Sequence, residues 1–247
     1  IEAYGCEMEI MPGDVAFRGN WATLDNHGKI IDRRAGRIRE GTKELASSLS
    51  NIKIEDVSVE VGVGTEHRIA VVLRGEGLQD SLFGSDPGDR YHSEIKPRLP
   101  LALNKQDQKS VRTAKILNLF EQEARKILAR HPKNLERTSK GLLVANAILT
   151  REPGQVKAFP KIKRPSGFGL SGVCISGDDT ISGISLLTGL NVCKTPSMTA
   201  NMDTDLKQKF MFAGKMLSKY GVVVLHIKGC DIAAHNREAK KKSEFLE

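Results

Sequence analysis

Three kinds of hydrophobic pattern follow one another along the chain. Apolar residues alternate with others at Val57, Val59, Val61 and Val63, the two-residue period of a strand with one buried face. Between residues 110 and 130 the positions Val111, Ala114, Leu117, Phe120, Ala124, Ile127 and Leu128 recur at helical spacing. At Val222, Val223, Val224 and Leu225 the run is unbroken, as in a strand buried on both faces of a parallel sheet. Weaker patterns fall into order around these. Residues 14–23, with Val15, Phe17, Trp21 and Thr23, predict a strand, and Asn26-His27-Gly28-Lys29 a hairpin turn into Ile30-Ile31. A helix is expected over 41–49 through Leu45 and Leu49, and a further strand over 69–73. Residues 84–100, rich in Gly, Pro and Asp and without a period, predict a long loop. Ser110 can cap the long helix, Pro132 lies beyond its end, and 144–149 reads as a strand.

Residues 153–165, carrying Lys157, Lys161 and Lys163, read as a linker, and the pattern changes after them. Strand-like 172–175, helical 181–190, strand-like Val192-Cys193, helical 205–219 and the 222–225 run alternate as β-α-β units do. The expected fold class is α/β, with a mixed α/β unit first and part of a doubly wound parallel sheet after it.

Composition narrows the function classes. The 247 residues, 39% of them hydrophobic, suffice for one large or two small domains. No apolar run approaches the roughly 18 residues a membrane span needs, and no secretory signal is visible. Cys6, Cys174, Cys193 and Cys230 include no C-x-x-C pair, which argues against a zinc ribbon and fits reduced thiols in the cytoplasm. The net charge of +8 suits an anionic partner. Aromatic residues are scarce, and the one lysine run, 240–242, is flanked by Glu238 and Glu244, which disfavours nucleic acid. Singly placed arginines instead suit the phosphate or carboxylate of a small molecule, whose oxygens accept a guanidinium fork.

The stretch 221–236, GVVVLHIKGCDIAAHN, ends its apolar run in an acid and a histidine four residues apart. If Asp231 opens a helical turn, its carboxylate and the His235 imidazole share one face, an oxygen and a nitrogen ligand for a metal. They would then stand at the C-terminal end of a strand, where open α/β sheets place ligands. A helix cap and an ordinary helical histidine are the alternative. Lys228 either faces a phosphoryl group or is an exposed strand end. Arg18 and Asn20 lie in a glycine-containing strand that lets a ligand approach the backbone. The Asp32-Arg33-Arg34-Ala35-Gly36-Arg37 segment gathers three arginines, as a binding loop or a surface turn. His67-Arg68 at a strand start and Asp86 in the long loop could supply a base and a fork, or serve structure alone. Asn134, Arg137, Asn146 and Arg151 flank the 144–149 strand, with capping as the alternative for the asparagines. No G-x-G-x-x-G or Walker loop occurs, so neither NAD nor ATP is expected.

Taken together, these motifs match a known family. HIKGCDIAAH, GDVAFRGNWATLD (residues 13–25), DRRAGRI (32–38), HRIAVVLRGEGL (67–78) and RHPKNLERTSKGLLVANAILTRE (130–152) occur in the family's order. Over nearly its whole length the chain resembles archaeal-type 2,3-bisphosphoglycerate-independent phosphoglycerate mutases of the alkaline phosphatase superfamily. The resemblance implies an alkaline-phosphatase-like doubly wound core, residues 1–12 and 153–247, interrupted by an inserted substrate-gripping α/β domain, 13–152. It implies interconversion of 3-phosphoglycerate and 2-phosphoglycerate through a phosphoserine, with two divalent ions, Mn2+ expected and Mg2+, Co2+ or Zn2+ as alternatives. Asp231 and His235 would hold one ion, His67 and Asp86 would be catalytic, and Arg18, Asn20, Arg37, Arg68, Arg137 and Lys228 would bind substrate. The family's nucleophilic serine and first metal-binding aspartate are expected before Ile1 and its remaining ligands after Glu247, so the chain is expected to be incomplete. Gly88 and Ser182 depart from the family's histidine and lysine. Two other readings are a related phosphohydrolase or homoserine-kinase-like phosphotransferase, and a non-catalytic anion- or nucleic-acid-binding domain.

Overall fold

A computed structural model of the protein describes residues 1–88, 95–156 and 171–247. The chain divides into two compact units, one of Glu2 with Cys6–Lys157, the other of Ile1, Ala3–Gly5 and Ala158–Glu247. The first helix, α1 (Glu2–Gly5), falls mostly in the second unit.

The 6–157 unit is built on β1 (Val15–Leu24), β2 (Ile30–Asp32), β3 (Ile52–Ile54), β4 (Val57–Val63), β5 (Arg68–Arg74) and β8 (Ala147–Gln155). They form one antiparallel sheet in the order β2-β1-β5-β4-β3, with β8 also on β1. Alternation gives this sheet two unlike faces. Val15, Phe17 and Trp21 on β1, Ile69, Val71 and Leu73 on β5, and Val57, Val59 and Val61 on β4 pack against helices α2 (Thr42–Leu49) and α3 (Gln108–Ala129). Arg18 and Asn20 take the other face of β1. The short strands β6 (Leu82–Phe83) and β7 (Leu101–Ala102) pair across the base of the 84–100 loop, of which residues 89–94 lie outside the described residues.

Three local differences from the sequence expectation have physical causes. Helix α3 starts before Ser110, because Asp107 is the cap: its carboxylate accepts from the Lys109 and Ser110 N–H groups and from the Ser110 hydroxyl. Pro132 does not end helical structure but opens α4 (Pro132–Ser139) at a position that needs no N–H, with His131 as its cap. Strand β8 continues through Pro153 into the expected linker. The pairing slips between Ala16 and Arg18, where Glu152 has φ 52°, and a bulge accommodates a residue that cannot donate to the ladder. The linker lysines 157, 161 and 163 lie outside the described residues.

In the other unit β9 (Gly172–Ile175), β10 (Asn191–Cys193) and β11 (Val222–Leu225) form a parallel sheet in the order β10-β9-β11. Helices α5 (Asp179–Leu187) and α6 (Leu206–Leu217) connect the strands, capped by the Asp178 and Asp205 carboxylates. After β11 come α7 (Gly229–His235) and α8 (Ala239–Leu246), packed so closely that a Cβ on Gly229 would lie 2.2 Å from the Phe245 ring. β11 is not buried on both faces as its run suggests. It is an edge of the described sheet, and Val222 and Val224 stay exposed among the described residues.

The two caps at the head of α3 can be separated by experiment. Asp107→Ala is expected to lower stability more than Ser110→Ala, because the serine only reinforces the aspartate. Urea unfolding of both variants checks the order.

Candidate functional site

In the 6–157 unit the polar sheet face collects cations by register. Arg18 stands opposite Arg151 of β8, and Asn20 opposite Arg68 of β5. Like charges directly across strands repel, so this face is built for something other than stability. His67, immediately before β5, is buried, and among the described residues its Nδ1 has no hydrogen-bond partner, the Glu66 carboxylate standing 3.9 Å away. Burial, then the charges of Arg34, Arg68, Arg37 and Arg18, push its pKa down to about 3. The imidazole is therefore neutral at physiological pH. The Nε atoms of Arg18 and Arg151 are likewise buried without a hydrogen-bond partner among the described residues. Arg18 Nη1 and Arg151 Nε lie 3.6 and 3.7 Å from the half-exposed Glu152 carboxylate.

The 32–38 segment is a tight turn. The Asp32 carboxylate accepts from the Arg34 N–H at 2.5 Å, and the Arg37 N–H donates to Arg34 O at 2.8 Å. Ala35, Gly36 and Arg37 all have positive φ, 45°, 66° and 56°, a costly run for two residues with side chains. Arg137 braces it: Nη2 donates to Ala35 O at 3.2 Å and Nε to Leu143 O at 2.8 Å. These contacts commit Arg137 to backbone carbonyls. The two asparagines follow the capping alternative. Asn134 joins Leu128 O to Ala145, and Asn146 brackets the backbone of Leu24.

Asp86 is fully engaged. Arg33 grips it in a buried fork, Nε to Oδ1 at 2.9 Å and Nη2 to Oδ1 and Oδ2 at 2.6 and 2.7 Å, while Arg151 Nε lies 3.9 Å from Oδ2. The Gly88 N–H donates to Oδ1 at 3.0 Å, and φ +94° at Gly88 is a conformation that histidine would adopt only with strain. Behind Asp86, Glu121 of α3 accepts from the Ser85 and Thr150 hydroxyls, each at 2.7 Å. Burial pushes its carboxyl up to about 7, the two hydroxyls work against that shift, and Asp86 adds to it.

In the other unit, Asp231 and His235 converge on one turn of α7, Oδ1 to Nε2 at 3.5 Å, with both side chains more than half exposed. An oxygen and an imidazole nitrogen suit a divalent ion of the manganese-to-zinc range. Among the described residues no group of three or more histidine, cysteine or acidic side chains gathers to complete a site. Lys228 donates to the buried Asp178 carboxylate at 2.5 Å, so the strand-end lysine is tied to the cap of α5. Beside them Ser176 Oγ meets His226 Nδ1 at 3.2 Å, and buried Lys209 donates to Thr199 O and His226 O.

Several of these residues escaped sequence reasoning. Arg33 and Arg34 were visible only as members of a cluster. Arg151 was noted only as flanking the 144–149 strand, although parity places it two residues beyond Leu149 on a strand whose partner carries Arg18. Glu121 left a clear signal, an acid at a core position of the helical stripe Leu117, Glu121, Ala124, Leu128. Asp178 and His226 left none beyond their position near strand ends.

The family model described as 2,3-bisphosphoglycerate-independent phosphoglycerate mutase matches residues 1–134. Proteins of that name from Picrophilus torridus and Archaeoglobus fulgidus are 40% and 42% identical over the whole of this chain. The chain spans 59% and 60% of those relatives' lengths. A solved cofactor-independent phosphoglycerate mutase from Thermoplasma acidophilum is similar over 92% of this chain and 57% of its own, at 33% identity and a TM-score of 0.60. Its likeness fits the alkaline-phosphatase-like α/β class expected from the sequence.

The neutral His67 has a measurable consequence. An unfolded chain protonates histidine near pH 6.5 while the folded protein does so only near pH 3, so the unfolded state binds more protons between these values. Stability is therefore lost as pH falls through that window. Between pH 7 and 4 the wild type is expected to lose on the order of 2–3 kcal/mol more than His67→Gln. Urea unfolding at a series of pH values measures the difference.

Proposed function

We propose, on the premise that the chain belongs to the 2,3-bisphosphoglycerate-independent phosphoglycerate mutase family, that the protein interconverts 3-phosphoglycerate and 2-phosphoglycerate by way of a phosphoserine. The observation that carries the reading is the ring of arginines about an uncharged, buried histidine. A glycerate set free by phosphoryl transfer must be held while it turns, because escape would make the reaction a hydrolysis. Arg18 and Arg68 supply the forks for its carboxylate, Asn20 and Arg37 direct its hydroxyls, and Arg137 keeps the Arg37 turn in its strained shape. His67 takes the proton from the hydroxyl that is about to receive the phosphoryl group and returns one to the other. Asp86 acts from its ion pair with Arg33, as the group that aims that guanidinium. On this reading residues 13–152 are the inserted substrate-gripping domain and 1–12 with 153–247 are segments of the phosphatase-like core.

Asp231 and His235 would hold one of two divalent ions, manganese before magnesium, cobalt or zinc. When bound, the ions neutralise charge on the transferring phosphoryl group. Lys228, aligned by Asp178, adds a positive contact for that group. The place assigned is the cytoplasm, with phosphoglycerate as the partner. Among the described residues no helix is long and apolar enough to cross a membrane.

Asp231→Asn and His235→Ala in the full-length protein are expected to lower bound manganese by about one ion per chain and to cut turnover by several orders of magnitude. Unchanged metal content by mass spectrometry would remove both from the ligand set.

Arg18→Ala and Arg68→Ala test retention. A charged fork lost from a desolvated pocket costs about 2–5 kcal/mol, enough to shift partition between capture and escape by more than tenfold. Inorganic phosphate should rise relative to isomer in the same reaction, whereas an unchanged ratio in both variants refutes the assignment of these arginines.

A further inference from the structure

Glu121 takes no part in the roles above, yet it sits where two pocket residues are joined. Its Oε1 accepts from the hydroxyls of Ser85 and Thr150. The next residue after each is charged, Asp86 on the loop and Arg151 on β8, and the two stand 3.9 Å apart. Ser85 and Thr150 are themselves laced together. The Thr150 N–H donates to Ser85 Oγ at 3.0 Å, and the Asp86 N–H to Thr150 O at 2.8 Å. Gly84 lies so close that a Cβ on it would be 2.2 Å from Thr150 O. Although Glu121 keeps some exposure, its carboxyl turns inward onto two fully buried residues.

We propose that Glu121 is a positioning residue for the arginine pocket: by gripping Ser85 and Thr150 together it fixes Asp86, and Arg33 with it, relative to Arg151. The inference rests on reading that pocket as a site for a small organic anion. It adds a charge effect to the geometric one. The charged residues linked to the Ser85–Thr150 contacts are Asp86 and Arg98 on the loop, and, through Asp86, Arg33 just after β2 and Arg151 on β8; of these Asp86 bears on the titration of Glu121. With Glu121 protonated, Asp86 is the carboxylate shared by Arg33 and Arg151. Ionisation places a second negative charge behind Asp86, which disfavours an incoming anion by like-charge repulsion. Anion affinity is then high below the Glu121 midpoint near 7 and falls above it.

D-Glycerate is a suitable probe, because its own charge is constant from pH 6 to 8.5. Its affinity for the full-length wild type, measured by NMR titration, should fall about three- to tenfold across that range, a shift of roughly one logarithmic unit at most. In Glu121→Gln the amide oxygen accepts the same two hydrogen bonds without titrating. That variant should bind as the wild type does at pH 6 and keep its affinity to pH 8.5. Thr150→Val removes a hydrogen bond that favours the ionised form, so its midpoint should move upward. Wild-type pH dependence retained in Glu121→Gln, or a uniform loss at every pH, overturns the proposal. If D-glycerate binds the wild type at no pH, the mutase reading of the pocket fails. The Arg151 Nε nitrogen resonance then decides the positioning role: a step near pH 7 in the wild type that vanishes in Glu121→Gln upholds it, and no step overturns it.

Discussion

The two-faced placement of side chains along β1 is the constraint from which the 6–157 unit follows. Its odd positions Val15, Phe17 and Trp21 enter the core, and its even positions Arg18 and Asn20 take the opposite face. A slip of one residue would exchange these sets, so register is fixed by the two faces together. The magnitudes decide which face governs. Burying a single large apolar side chain contributes about 1.5–3 kcal/mol, whereas opposing like charges across strands costs about 0.2–1 kcal/mol. The apolar face can therefore hold Arg18 opposite Arg151 against their repulsion, which the neighbouring Glu152 carboxylate offsets in part.

The same logic extends to the turn after β2 and the loop after β6. Positive φ at Ala35 and Arg37 and the buried fork between Arg33 and Asp86 are each poor ways to gain stability. Both fix direction. Arg137 holds the carbonyl of Ala35, Asp86 holds the guanidinium of Arg33, and the Ser85–Thr150–Glu121 contacts hold Asp86. Arg33 and the turn that carries Arg37 are thus each set by a further partner. A ligand that meets an already ordered site loses less of its binding energy to ordering side chains.

Strand periods, the hairpin at Asn26–Lys29 and the β-α-β alternation after residue 171 were legible because each depends on local spacing. Arg18 and Arg68 were legible because a lone arginine in an apolar strand is conspicuous. Pairings across distance were not. Nothing in the segments around Arg33 and Asp86 signals that they join, 53 residues apart, nor that Lys228 would close on Asp178, 50 residues before it. The cap of α3 was misjudged because Asp107 and Ser110 both suit the position, and only the backbone path chooses between them. The exposure of Val222 and Val224 shows the limit of an unbroken apolar run: it reports what a strand can bury, while the neighbouring strands decide what it does bury.

The Asp231–His235 pair makes the complementary point about convergence. An exposed ion pair one helical turn apart contributes about 0.3–0.5 kcal/mol, too little to account for placing both groups at the exit of a parallel strand. Its geometry is nevertheless well determined, because the turn that carries it is pinned on both sides. Lys228 at its start is held by the buried Asp178, and Gly229 is held against Phe245 with no room for a side chain. The flanking contacts are buried and the pair they frame is open, the inverse of the arrangement around Arg33 and Asp86. A donor pair fixed from behind and open in front is suited to a ligand that brings its own charge, since the approach requires no rearrangement of the backbone.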